Sequence, residues 1–197
     1  DDNYAFDAQF GFLTSCPTNV GTGMRASTML HLPALATVGK LSALLQAISK
    51  LGLTVRGIYG EGSEAQGNLY QLSNQVTLGI SEQAAIENLL GIASQIIRQE
   101  RVSRESLSQN PHFEDRVWRS LGLLRTARLL SHDEFMALIS NVRVGIAVRV
   151  IEGLSLDVIG ELLNDAQPAT LMLHAGEDME PLQRDALRAR MVRERLA

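Results

Sequence analysis

The chain has 197 residues, of which 45% are hydrophobic, enough to build one large core or two small ones. A net charge of −4 argues against a general binder of nucleic acid or membrane surface. A single cysteine, Cys16, excludes an internal disulfide framework and fits a reducing cytoplasm.

The first residues carry neither the basic nor the apolar segment of a signal peptide. No apolar run reaches the ~20 residues of a membrane helix. The chain starts abruptly, close to a strand, which suggests one part of a longer enzyme. Its 18 cations include only two lysines, Lys40 and Lys50. Arginine's planar fork grips carboxylate and phosphate with paired bonds. The bias alone marks no site, because genome composition or thermal adaptation gives the same excess.

In chain order, Phe10 to Ser15 reads as a strand and Pro17 to Gly23 as a loop. Met24 to Leu32 alternates and reads as a second strand, closed by Pro33. Leu41, Leu44, Leu45 and Ile48 recur at helical spacing within a helix over 34–51. Leu53 to Tyr59 is a third strand, Gly60 to Gly67 a glycine-rich loop, and Asn68 to Leu78 a fourth strand. Ser81 caps a helix that runs to about Arg104.

This order indicates an α+β domain, its sheet antiparallel or mixed. Four strands leave two edges, so an upstream segment is expected to extend the sheet. Asn110-Pro111 marks a boundary. Helices over 114–130, 131–150, 155–163 and 181–197 follow, with N-terminal signatures at Ser131 and Ser155. The expected division is 1–104 for the α+β part and 105–197 for an all-helical part.

The chemistry centres on the segment from Cys16 to Ser27. A cysteine at a strand end is most often a small buried hydrophobe. Exposed backbone N–H groups and Arg25 nearby favour a thiolate instead. His31 is a packed or solvated histidine, and no histidine partner suggests a Cys–His protease. Arg25 and Arg56 default to wet-face residues of strands. Two arginines facing one cleft would neutralise a polyphosphate. Neither loop matches a Walker A or GxGxxG pattern.

Glu61, between Gly60 and Gly62, sits in a loop able to close over a ligand. It suits a carboxylate that orients a guanidinium or takes its proton. The four histidines show no metal-ligand spacing. Any metal would be Mg²⁺ arriving with a nucleotide. The last helix bears Arg184, Asp185, Arg188 and further arginines. Such a charge run is usually a solvated face, with Leu182, Leu187, Met191 and Leu196 left to dock it.

Cys16-Pro17-Thr18-Asn19, then Gly21 and Arg25-Ala26-Ser27, resembles the signature of the phosphagen (guanidino) kinases. Val55-Arg56-Gly57, Gly60-Glu61 and Ser63-Glu64-Ala65 resemble their substrate-closing loop. The match is nearest to the bacterial branch that phosphorylates arginine side chains in proteins. That branch adds a helical C-terminal region, where Arg184-Asp185-Ala186-Leu187-Arg188-Ala189 fits an RDxxRA phosphoarginine motif.

The resemblance implies a catalytic domain of the glutamine-synthetase and guanido-kinase type, incomplete here. It implies Cys16 and Glu61 at the guanidinium. ATP would meet Arg25, Ala26, Ser27, Thr28 and Met29, and Arg56, Gly57, Ile58, Tyr59, Gly60 and Glu61. A regulatory phosphoarginine pocket would use Arg184, Asp185, Ala186, Leu187, Arg188 and Ala189. Implied partners are arginine-bearing proteins (a heat-shock repressor and misfolded chains), an activator protein, a Clp ATPase, the enzyme's own upstream segment and further copies in a homo-oligomer. The family's upstream half supplies more phosphate-binding arginines and a second catalytic glutamate, absent from this sequence. Two other readings stay open: a phosphoarginine-binding module without catalysis, and a kinase for small guanidino compounds.

Overall fold

The computed structural model describes residues 4–57 and 65–197. Two compact units divide them. One comprises 1–65 and 69–101, the other 66–68 and 102–197. The first carries the strands β1 (Phe6–Asp7), β2 (Gly11–Phe12), β3 (Ser27–His31), β4 (Leu53–Arg56) and β5 (Leu69–Asn74). It also holds α1 (Pro33–Thr37), α2 (Leu41–Ser49) and most of α3 (Glu82–Ser108).

Among the described residues all strand pairing is antiparallel, in two sheets. The larger sheet has the order β3-β5-β4. One face is apolar: Leu30, Leu53 and Leu72 pack with Leu35, Ile48, Leu89, Ala93 and Ile96. Alternation along the strands puts Ser27, Met29 and Arg56 on the opposite face. The register confirms it, since Gln71 pairs with Met29 on one side and Arg56 on the other.

Several expected elements differ. The strand over 10–15 is a two-residue strand in a small hairpin with β1, outside the main sheet. Asp7 shapes that hairpin by accepting the Gln9 and Phe10 N–H groups at 2.7 and 3.0 Å. The second strand spans only Ser27–His31. The helix over 34–51 breaks in two at Gly39, whose φ of +70° cannot continue a helix. The fourth strand ends at Asn74 rather than Leu78. Helix α3 continues to Ser108, past the expected end at Arg104.

The second unit is helical: the end of α3, then α4 (Pro111–Thr126), α5 (His132–Ala147), α6 (Leu156–Asp165), α7 (Pro168–Ala175) and α8 (Pro181–Leu196). Its core includes Val117, Phe135, Ile139, Ile159, Leu162 and Val192, all at most 1% exposed. The expected caps form: Ser131 accepts from the Glu134 N–H and Ser155 from the Val158 N–H. Helix α7 is not among the expected helices, although Pro168 and Gly176 bracket it. They are its ends, proline in the first turn and glycine at the left-handed C-terminal position. No helix among the described residues is long and apolar enough to cross a membrane.

Candidate functional site

Cys16 opens a 3₁₀ turn over Pro17–Asn19 and is exposed rather than buried. Its thiol lies 3.0 Å from the Thr18 hydroxyl. Its carbonyl accepts the Thr14 hydroxyl at 2.6 Å and the Asn19 N–H at 3.0 Å. These bonds fold the chain back on itself at an exposed cysteine. An exposed thiol is within reach of a ligand, as a reactive or ligand-binding cysteine must be.

The chain after β5 holds this turn. The Thr77 hydroxyl shares its hydrogen between the Thr18 and Val20 carbonyls, at 3.0 and 2.8 Å. The Thr77 carbonyl accepts the Thr22 N–H at 3.0 Å. Gly21 passes so close that a Cβ there would collide with the Thr77 carbonyl, and its φ is +112°. Only glycine fits, which explains one glycine of the Gly21-Thr22-Gly23 segment.

The other end of the loop is held by Asn74. Its amide oxygen accepts the Ala26 N–H at 2.8 Å, and its amide nitrogen donates to the Met24 and Val76 carbonyls at 3.1 and 3.2 Å. Arg25 lies between the two bonded residues. It is exposed, and its Nε reaches the Asn74 carbonyl only at 3.5 Å. Ser27 and Met29 are exposed on the open face of the sheet, where Arg56 also lies, half-buried. Ala26 packs against the apolar core, and Thr28 alternates to the same side. Gly57 is buried at the end of β4. Ile58, Tyr59, Gly60 and Glu61 lie outside the described residues.

The structure thus sets Cys16, Arg25, Ser27, Met29 and Arg56 on one sheet and its attached loop. A cleft of about 260 Å³ nearby is lined by Phe6, Phe10, Phe12, Thr77 and Leu78 among others, and by none of those five. The candidate site is an open face, not that cavity. Among the described residues no group of three or more acidic, histidine or cysteine side chains is placed to hold a metal ion.

In the helical unit the RDxxRA residues divide. Arg188 is 1% exposed and uses three of its five N–H donors: Nε donates to the Ala166 carbonyl at 2.9 Å, and one terminal nitrogen to the Leu130 carbonyl at 2.8 Å and to Asp185 at 2.7 Å. The solvated-face reading of the helix fails there, and Ala189 is buried beside it. Leu182 stays exposed, while Ala189, Val192 and Leu196 do the docking. Arg184 and Asp185 keep partial exposure, as does Leu187, and Ala186 is exposed. Arg184 donates one bond, to the Met179 carbonyl at 2.6 Å. His132 has its pKa lowered, first by burial and then by the Arg188 cation; Asp133 and Asp185 oppose this.

Two family models match in tandem. The ATP:guanido phosphotransferase C-terminal catalytic domain covers residues 3–103, and the protein-arginine kinase McsB C-terminal domain covers 110–197. The chain belongs to the ATP:guanido phosphotransferase family. Within this family it is 56% identical to a protein-arginine kinase of Brevibacillus brevis, over 98% of this chain and 55% of that protein. It is 50% identical to a protein-arginine kinase of Bacillus subtilis, over 98% of this chain and 54% of that protein. The chain spans about half the length of the curated relatives it matches. Among solved guanido phosphotransferases, a duplicated taurocyamine kinase from Schistosoma mansoni is 35% identical with a TM-score of 0.44, over 49% of this chain and 13% of that one.

Sequence reasoning missed Asn74 and Thr77. Asn74 pairs with Leu53 in register and falls two residues after Leu72, on the core side of β5. An asparagine where alternation calls for an apolar residue is the signal that would have found it.

Proposed function

We propose that this chain is part of an ATP-dependent kinase that phosphorylates arginine side chains in proteins. The observation that carries this is the exposed Cys16 and the exposed Arg25 on one loop whose two ends are hydrogen-bonded to the chain after β5. The names of the relatives support arginine in proteins as acceptor.

In this reading a terminal guanidinium nitrogen attacks the γ-phosphorus of ATP in line. The P–N bond forms, the P–O bond to the β-phosphate breaks, and ADP leaves. The acceptor's proton passes to a carboxylate, for which Glu61 is the proposed base. Cys16, as thiolate, aligns the cationic guanidinium. Arg25 and Arg56 balance the phosphate charge, with Mg²⁺ carried in by the nucleotide. The backbone of 26–29 and 57–60 frames the nucleotide. Arginines from the rest of the enzyme would complete the cleft. The proposed division of labour puts transfer in 1–104 and regulation in 105–197.

Regulation would use Arg184 and Asp185 as the groups that meet phosphoarginine. Arg188 is buried and bonded to two backbone carbonyls, and would hold Asp185 in place. The cellular role that fits is marking proteins, a heat-shock repressor among them, for a Clp-type protease in the cytoplasm, with an activator protein and self-association as further partners.

The test incubates the full-length enzyme with MgATP and either an arginine-bearing protein or free arginine, and follows phosphoarginine. Efficient transfer to protein and poor transfer to free arginine is expected. The reverse preference supports a small-molecule kinase, and no transfer to either overturns the proposal.

A further inference from the structure

Asn74 and Thr77 are three residues apart in one segment, yet they grip opposite ends of the 16–27 loop. Thr77 is 7% exposed and holds the carbonyls of Thr18 and Val20, directly after Cys16. Asn74 is 4% exposed and brackets Arg25 through Met24 and Ala26. The segment between them is pinned from a third side, because the Gln75 N–H donates to the Gly52 carbonyl at 3.0 Å. A fully bonded buried amide and a shared buried hydroxyl are rigid, since breaking either strands buried polar partners.

We infer that the 74–77 segment is a two-armed brace that sets the two substrates' groups independently: Thr77 positions Cys16 for the acceptor guanidinium, and Asn74 positions Arg25 for the nucleotide phosphates. The inference rests on the roles proposed above for Cys16 and Arg25. Neither Asn74 nor Thr77 touches a substrate; each acts through the loop it holds. In-line transfer depends on the separation of the two reacting groups, and small displacements of a positioned group cost rate steeply. A brace with separate arms predicts separable losses.

Two readouts besides activity decide it in the full-length enzyme. One is MgATP affinity by calorimetry. The other is the rate of Cys16 alkylation by iodoacetamide, followed on the Cys16 peptide by mass spectrometry. For Asn74→Ala, the dissociation constant for MgATP is expected to rise about tenfold, with alkylation within about twofold of the parent. For Thr77→Val, alkylation changes by about threefold or more and MgATP affinity stays within about twofold. Thr77→Ser keeps the hydroxyl and restores the parent behaviour in both.

If Asn74→Ala does not melt cooperatively, Asn74→Ser, which keeps a short polar group, takes its place. The brace is overturned if the variants move both readouts together, or neither. A parent enzyme that does not bind MgATP overturns the functional reading and the nucleotide arm with it. The alkylation rates still decide the thiol arm.

Discussion

The arginines of the two units do different work. In the sheet unit, Arg25 is exposed and makes one long bond, at 3.5 Å, to a backbone carbonyl. In the helical unit, arginines are spent on the carbonyls at helix ends. Arg188 reaches Ala166, which closes α6; Arg193 reaches Ala127, which closes α4; Arg125 reaches Leu196, the last residue of α8, at 2.6 Å. Those carbonyls have no partner within their own helix and carry the negative end of its dipole. A guanidinium satisfies both at once. The arginine excess is thus partly structural, and bonding to helix-end carbonyls separates a structural arginine from one left available to a ligand.

The comparison can be broken most forcefully at Arg188. Arg188→Ala strands the Leu130 and Ala166 carbonyls and removes the partner of Asp185. It is expected to cost about 3–5 kcal/mol in denaturant unfolding of the helical unit. A loss under about 1 kcal/mol would mean that its three bonds are incidental to stability.

Arg25→Ala is expected to do the opposite. Stability should hold within about 0.5 kcal/mol, as for an exposed side chain with one weak bond. The MgATP dissociation constant should rise by about tenfold or more, as for a lost charge-assisted phosphate contact. A destabilised Arg25→Ala with unaltered ATP affinity would reverse the assignment.

Acid sharpens the contrast from another side. His132 has its folded-state pKa lowered by burial and by Arg188. Its neutral form is favoured in the folded state, so the unfolded chain binds more protons. The stability it contributes is present above its ordinary value of 6.5 and is lost as pH falls below it. Unfolding midpoints of the helical unit should therefore fall between about pH 7 and pH 5, and His132→Gln should flatten that slope. An unchanged slope rules out His132 as the cause.

The smallest effect is expected at Arg195, which pairs with Glu161 at 2.8 Å and Asp165 at 3.1 Å on the surface. Arg195→Ala should cost about 0.5–1 kcal/mol at low salt and less in high salt. A loss as large as that of Arg188→Ala would show that burial is not what matters.

The helices with polar caps were legible because Ser131 and Ser155 announce themselves one turn before the apolar rhythm begins. Helix α7 was not, because eight residues between a proline and a glycine carry too little periodicity. Strands β2, β3 and β5 were found but drawn too long, and β1 was not read. Asn74, the last residue of β5, turns its amide onto Ala26 and Met24, 48 and 50 residues away; the break in alternation marks the asparagine but does not name these partners. The 16–27 loop was legible as a loop with a cysteine and an arginine. The bond from Thr77 that holds its first part was not, since it closes over 59 residues. The burial of Arg188 was hidden for the same reason: its partners Leu130 and Ala166 are 58 and 22 residues away.

The central claim, that the loop from Cys16 to Arg25 serves phosphoryl transfer to arginine, is tested most directly by replacing the thiol. In the full-length enzyme given γ-labelled MgATP and an arginine-bearing protein, the parent should yield label held through an acid-labile P–N bond. Cys16→Ala should lower that yield by about 100-fold or more, with the fold intact. Near-parental labelling by Cys16→Ala would contradict the account.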